Sequence, residues 1–246
     1  SSHRRQRQMC IRDRFYISNG ILPVRNEKYN WKGVVPGNTR ETLWTEYHKT
    51  DELPQVLNPE SGYLYNANNT PFKSTSTNEN PNSKDFPKEM GYSIYDNNRS
   101  TRIYELIESY EKIDFSDFKS IKFDYKYPTP FTFNFVDVNE IMEMNPDDYP
   151  DISDLIIEIQ NWDRSTSSDS LGAGIFAIFY YNLGKYIRKP YINRNLSKNL
   201  IAQMLRDVKA YMVKHFNKTN VRLGEYQKLV RGDKEIPIWG MPDVIT

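Results

Sequence analysis

Between Asp169 and Lys185 the chain carries no charged residue, and the run is broken by Gly172 and Gly174. A helix that is apolar on every side must be covered on every side. Residues 168–186 therefore read as a buried helix around which other elements are arranged. No run in the chain reaches the roughly 18 apolar residues needed to span a bilayer. The next helix is amphipathic. Leu200, Ile201, Met204, Leu205, Val208, Tyr211 and Met212 follow i, i+3/i+4 spacing behind Ser197, a good N-cap residue. Asp151 or Ser153 can open another helix, which turns Leu155, Ile156, Ile159 and Trp162 inward. From residue 101, Ile103, Leu106, Ile107 and Tyr110 share one helical face. Asp114 opens a short helix with Phe115, Phe118 and Ile121 as its apolar side, and Phe131, Phe133 and Phe135 alternate with polar residues as in a strand.

The flanks read differently. Phe15–Val24 has a hairpin pattern around Asn19-Gly20, a favoured type I′ turn pair. Residues 31–38 read as a strand followed by a Pro-Gly turn, and residues 53–69 as two strands around a turn at Pro59–Gly62. Residues 73–100, rich in Asn, Ser, Thr, Lys and Pro, read as a long surface loop. Residues 222–238 look extended, with a turn at Arg231-Gly232-Asp233. The expectation is an α+β chain: β-rich over 15–72, mainly helical over 101–218, and extended again over 219–246. No internal repeat is present.

The opening residues 1–14 stand apart. They hold the sole Cys and five arginines, show no apolar period and no secretory pattern, and read as a non-native, adapter-derived leader. Without them the formal charge of +1 becomes about −3. The remaining basic residues are scattered, which argues against a nucleic-acid footprint. A body without cysteine excludes a disulfide framework, a thiol nucleophile and a thiolate metal site.

The histidines offer little catalysis. His3 is in the leader, His48 in a polar segment, and His215 at a helix end where a cation suits the dipole. Asp147-Asp148 and the Asp163/Asp169 region could bind a cation but read better as solvated caps, and Arg231-Gly232-Asp233 reads as a turn rather than an adhesion motif. The segment 54–72, PQVLNPESGYLYNANNTPF, is more distinctive. It places Asn58, Asn66, Asn68 and Asn69 around one turn. Asn tolerates left-handed φ and bonds its own backbone, so turn chemistry is one reading. An amide N–H held rigidly in a dry cleft stabilises a developing oxyanion, which is the other.

That segment resembles the LNP-x-SG…N-x-N-x-x-P stretch of the penicillin acylase family, especially its acyl-homoserine-lactone and aculeacin acylase branch. GILPVRN and WKGVVPGN resemble the strands upstream of it. RSTRIYELI resembles an arginine-bearing helix start, and LGEYQKLVRGDKEIPIWGMPD a late family segment. The motifs occur in family order and span most of residues 15–246, while 74–98 and 125–150 match poorly.

The resemblance implies an N-terminal-nucleophile hydrolase with an αββα sandwich, made by self-cleavage of a precursor into an α chain and a nucleophile-bearing β chain. It implies a Ser nucleophile whose own α-amino group is the base, a choice that needs no histidine. It puts Asn68 in the oxyanion role and Arg102 in support of the active site, with Arg99 as the alternative. It places the nucleophile upstream of this stretch, so the chain reads as an internal fragment without activity of its own. No cofactor is required, and a structural calcium would use residues outside this stretch. Substrates are N-acyl small molecules, and the location is periplasmic or secreted. A glycan- or cell-wall-binding module is the alternative class.

Overall fold

Phe15–Ile17 (β1) pairs antiparallel with Gln55–Leu57 (β2), in the register Phe15↔Leu57, Tyr16↔Val56 and Ile17↔Gln55. The computed structural model describes residues 13–18, 20–132, 138–186 and 196–245, and it divides into two units, Ser1–Asp96 and Asn97–Thr246. The pairing of β1 with β2 corrects the expectation of a local hairpin over 15–24, although Asn19 itself lies outside the described residues. Residues 22–24 pair instead with 46–48: Pro23 bridges Tyr47, and the His48 N–H donates to Leu22 O at 2.8 Å. An isolated two-stranded hairpin is marginal in water, so burial decides the partner. Leu22, Leu53 and Met90 form a small core, with Ile17, Phe86 and Tyr92 packed on it.

The first unit is sparser in strand than its composition suggests. Residues 31–38 form turns rather than a strand, with Val34 fully exposed. The turn at 59–62 is present, closed by Gly62 N–H to Pro59 O at 3.0 Å, but no second strand follows it. The segment expected as a loop carries short 3-10 turns at Thr77–Glu79, Ser83–Asp85 and Lys88–Met90. Asp13 and Arg14, read as part of the leader, join this unit. Arg14 N–H donates to Asn58 Oδ1 at 2.7 Å, and Asn58 N–H returns to Arg14 O at 2.7 Å.

The second unit is built around the uncharged run. Leu171–Tyr186 (α4) is buried along most of its length, with Ala173 and Phe176–Phe179 inaccessible to solvent. Against it pack Ser153–Gln160 (α3), Lys198–Phe216 (α5) and the one-turn Leu223–Tyr226 (α6). Each fully buried Leu, Ile or Phe contributes about 1.5–3 kcal/mol. Tyr127, Phe131, Trp162 and Phe176 form an aromatic cluster, the Phe131–Phe176 centroids lying 5.3 Å apart edge to face. Phe133 and Phe135 lie outside the described residues.

Capping follows the sequence at some helices and not at others. Ser197 caps α5, accepting from Leu200 N–H at 3.3 Å. Asn98–Glu108 (α1) starts three residues earlier than its apolar period, because Asn97 accepts from Ser100 N–H at 2.8 Å. Phe115–Lys122 (α2) has an Asp114–Asp117 capping box, as its opening residue suggests. Its expected apolar side is largely uncovered, however: Ile121 is buried, but Phe115 is 77% exposed and Phe118 58%. At α3, Ser153 is the first helical residue, not the cap, and the Asp151 carboxylate is taken by Arg206 at 2.6 Å. The chain ends in the antiparallel hairpin Lys228–Arg231 (β3) and Lys234–Pro237 (β4), turned at Arg231-Gly232-Asp233. The architecture is thus mixed α+β, and no helix among the described residues is long and apolar enough to cross a membrane.

Candidate active site

The Asn-rich segment sits on a scaffold of side-chain hydrogen bonds, because the first unit has too little sheet to hold it. The Glu79 carboxylate accepts from the N–H groups of Glu60 and Ser61 and so caps the 59–62 turn. These bonds hold the Glu79 carboxyl below the usual range, the Ser61 hydrogen bond being the largest cause. Asn80 Oδ1 accepts from Ser74 N–H at 2.7 Å and Thr75 N–H at 3.1 Å, while its amide donates to Thr75 O and Ser76 O. Thr75 Oγ1 then donates to Tyr63 O at 2.8 Å. Tyr65 N–H closes onto Ser74 O at 3.0 Å.

Within that frame the four asparagines have separate tasks. Asn58 adopts φ +49° and joins Asp13–Arg14. Asn66 Oδ1 accepts from Asn68 N–H at 2.9 Å, closing a turn on itself. Asn69 is fully engaged: its Oδ1 accepts from Ala67 N–H at 2.7 Å, and its amide donates to the Thr70 and Lys73 carbonyls. Asn66 and Asn69 thus hold the loop. Asn68 stands exposed between them at φ +57°.

Arg102 lies in the second unit, on the first turns of α1. Its Nε and Nη2 make a bidentate pair with Asp124 at 3.0 and 2.8 Å, and Nη1 reaches Glu105 at 3.2 Å. The Asp124 hydrogen bond is the main reason its pKa rises. Arg102 is the fifth residue of α1, beyond the first turn, so the two carboxylates rather than the helix dipole set its environment. Arg99, one turn earlier, is half-buried and meets Asp243 at 3.4 Å. Asp243 also accepts from Asn98 N–H and Nδ2, at 2.8 and 2.9 Å, and Asn98 exchanges bonds with Thr132 at 2.6 and 2.8 Å. Asn68 and Arg102 therefore belong to different units, and each is positioned by bonds within its own.

Sequence reading missed the acids that answer these arginines. Asp124 follows α2 in an unremarkable FDYKY stretch, and Asp243 lies 144 residues from Arg99. No local pattern links either pair. The two described histidines are where the sequence suggests: His48 lies 3.1 Å from Glu52, and His215 packs tilted against Tyr211, ring centres 4.3 Å apart, in the last turn of α5. His3 lies outside the described residues. Asp147 and Asp148 occupy a 3-10 turn capped by Asn145, Asp163 pairs with Lys126 at 2.7 Å, and Asp169 lies 3.6 Å from Arg222. Among the described residues no group of three or more His, Cys, Asp or Glu gathers as metal ligands.

The fold is similar to that of a thermostable penicillin G acylase from Alcaligenes faecalis, with a TM-score of 0.58 at 13% identity over 85% of this chain. The chain spans 46% of the length of that acylase chain. At this identity the likeness defines a class of architecture, that of a penicillin-acylase-like α+β protein. The family itself is shown by sequence: the penicillin amidase family model matches residues 12–233, and the chain belongs to that family.

Proposed function

We propose that this chain is part of an acylase that cleaves the N-acyl bond of small molecules, the substrate classes being acyl-homoserine lactones, penicillin-like compounds and lipopeptides. The observation that carries this reading is the family match over residues 12–233, which includes the whole Asn-rich segment. In this reading the chain contributes to an αββα sandwich completed by the rest of the protein, including an α chain from the same self-cleaved precursor. The nucleophile is an N-terminal Ser outside these residues.

The hydroxyl of that Ser adds to the substrate amide carbonyl, and its proton passes to its own α-amino group. Such an amine has a reference pKa of about 8 and is partly neutral at working pH. The carbonyl oxygen becomes an oxyanion, which the Asn68 side-chain N–H stabilises. The tetrahedral intermediate expels the amine with the transferred proton, and water then releases the carboxylic acid from the Ser ester. Arg102 takes the supporting role in the active site, with Arg99 as the alternative. No cofactor enters these steps, and a structural calcium would draw on residues outside this stretch. The reading places the enzyme in the periplasm or outside the cell.

The test uses the complete self-cleaved protein and chromatography of free acid and free amine from each substrate class. Hydrolysis of at least one class is expected, and Asn68→Ala should lose turnover while still self-cleaving. A correctly processed protein that hydrolyses none of them, yet binds glycan or cell-wall material, would replace this reading with that of a binding module.

A further inference from the structure

A cavity of 960 Å³ opens within the first unit between residues 25–32 and 83–95, and the Asn66–Asn69 loop does not line it. That volume falls in the range of small-molecule sites. Part of the lining is aromatic. Trp31 and Tyr29 meet edge to face with centroids 6.3 Å apart. Trp31 Nε1 is committed to Asn26 O at 2.9 Å, and the Tyr92 hydroxyl to Ser18 O at 3.2 Å. The polar edges are thus occupied, which fixes the rings.

The lining is also cationic. Arg25, Lys32, Lys84 and Lys88 line the cavity against the one carboxylate of Glu89. Among the described residues the ion pairs of this unit are Lys28–Glu41, His48–Glu52 and Lys73–Asp96, and none uses these four cations. Arg25 is the fixed member. Its Nη1 donates to Glu89 O at 3.2 Å and Met90 O at 3.4 Å, and its Nε is buried without a hydrogen-bond partner. Gly91 permits this approach: it sits at φ +76°, and a Cβ there would lie 2.9 Å from Arg25 Nη1. The guanidinium carbon is 6.0 Å from the Trp31 ring centre.

A part-buried guanidinium without a counter-ion beside a fixed ring is costly unless an anion completes it. Carboxylate geometry matches a guanidinium, and an aromatic body matches the rings. We propose that this cavity binds an aromatic monocarboxylate, its ring against Trp31 and Tyr92 and its carboxylate toward Arg25 and the three lysines. The Asn66–Asn69 loop does not line the cavity, although Thr70 Oγ1 donates to the lining residue Ser93 at its carbonyl, 2.6 Å away.

The test titrates 2-naphthoate into the complete self-cleaved protein, read by saturation-transfer NMR on the ligand and by quenching of tryptophan fluorescence. Saturable binding is expected, weakened at least tenfold for the neutral 2-naphthamide and at least tenfold by Arg25→Gln. The exposed-lysine variant K32Q/K84Q/K88Q leaves the core untouched, so it serves even if the Arg25 change unfolds the unit. It should weaken binding threefold or more. Equal affinity for naphthoate and naphthamide, or no change in the triple variant, would overturn the proposal. So would acetate binding as well as naphthoate, which would reduce the site to a non-selective anion patch.

Discussion

Gly174 is where helix α4 touches the backbone that enters α6, and replacing it by alanine sets two known effects against each other. In a helix interior Ala is favoured over Gly by about 1 kcal/mol. Here, however, an added Cβ would lie 2.1 Å from the Val221 carbonyl oxygen, 3.0 Å from Arg222 C and 3.1 Å from Leu223 N. All three are backbone atoms, so no rotamer change relieves the contact. Residues 221–223 must move by about 1 Å or more, in a region at native packing density. That segment is stitched to the start of α4 by Leu223 N–H to Ser170 O at 3.0 Å and Gly224 N–H to Ser168 O at 2.7 Å. Loss of both bonds costs about 2 kcal/mol, and overpacking adds about 1–3 kcal/mol. After the propensity gain, Gly174→Ala should destabilise the second unit by about 2–4 kcal/mol. Gly184, in the same helix, has nothing within 4 Å of its added Cβ, so Gly184→Ala should be neutral or stabilising by up to about 1 kcal/mol. Urea unfolding followed by the helical circular dichroism signal separates the two, with a midpoint about 1 M lower for Gly174→Ala. Equal midpoints for the two variants would refute the close-approach argument.

Arg102→Lys should fail to restore the stability lost in Arg102→Ala, because one ammonium cannot reproduce the bidentate contact with Asp124. Chemical denaturation of the two variants, each expected to lose about 1–2 kcal/mol, checks this. Ser197→Ala should cost about 1 kcal/mol through loss of the α5 cap, measured the same way. The Asp207 carboxylate accepts the Tyr186 hydroxyl and pushes its pKa up to about 12. The bond's contribution is therefore complete below the unfolded tyrosine value near 10 and is lost as the pH rises through about 12. Ultraviolet difference titration should show one tyrosine shifted downward by Asp207→Asn, and an unchanged titration would refute the assignment.

Sequence legibility here follows the range of the interaction. The α4 and α5 helices were readable because their signals are local: an uncharged run, an i, i+3/i+4 stripe, and a Ser one residue before its helix. The same holds for the Asp114 cap and the Arg231-Gly232-Asp233 turn. The first unit was misread where pairing is non-local. Asn19-Gly20 is a strong hairpin signal, yet Phe15–Ile17 pairs some 40 residues away, because the apolar side chains of 22, 53 and 90 must share one core. Exposed phenylalanines on α2 show the converse, a good local pattern without a covering partner among the described residues. At the site, the division of labour among the asparagines was partly readable. The acids opposite Arg99 and Arg102 were not, since ion pairing across 144 and 22 residues leaves no period to detect.

The left-handed backbone at Asn68 changes how its role must be tested. At φ +57° an alanine loses the amide and also carries a steric penalty of about 1–2 kcal/mol, so a loss of activity in Asn68→Ala mixes two causes. Glycine removes the side chain and tolerates the conformation at little steric cost. Aspartate keeps the shape and the tolerance for left-handed φ, but replaces an N–H donor by a carboxylate oxygen. If Asn68 only shapes the loop, Asn68→Gly in the complete enzyme should be near neutral, because the Asn66 Oδ1 and Asn69 bonds that hold the turn use backbone groups and survive. If it donates to the oxyanion, both Asn68→Gly and Asn68→Asp should lower kcat about 10²–10³-fold with normal self-cleavage and unfolding midpoint. Asn69→Ala should give the opposite pattern. Its amide and carbonyl are spent on Ala67, Thr70 and Lys73, so the loop should loosen and the unfolding midpoint fall together with activity. Wild-type kcat in Asn68→Gly would remove the oxyanion assignment and leave the segment a turn.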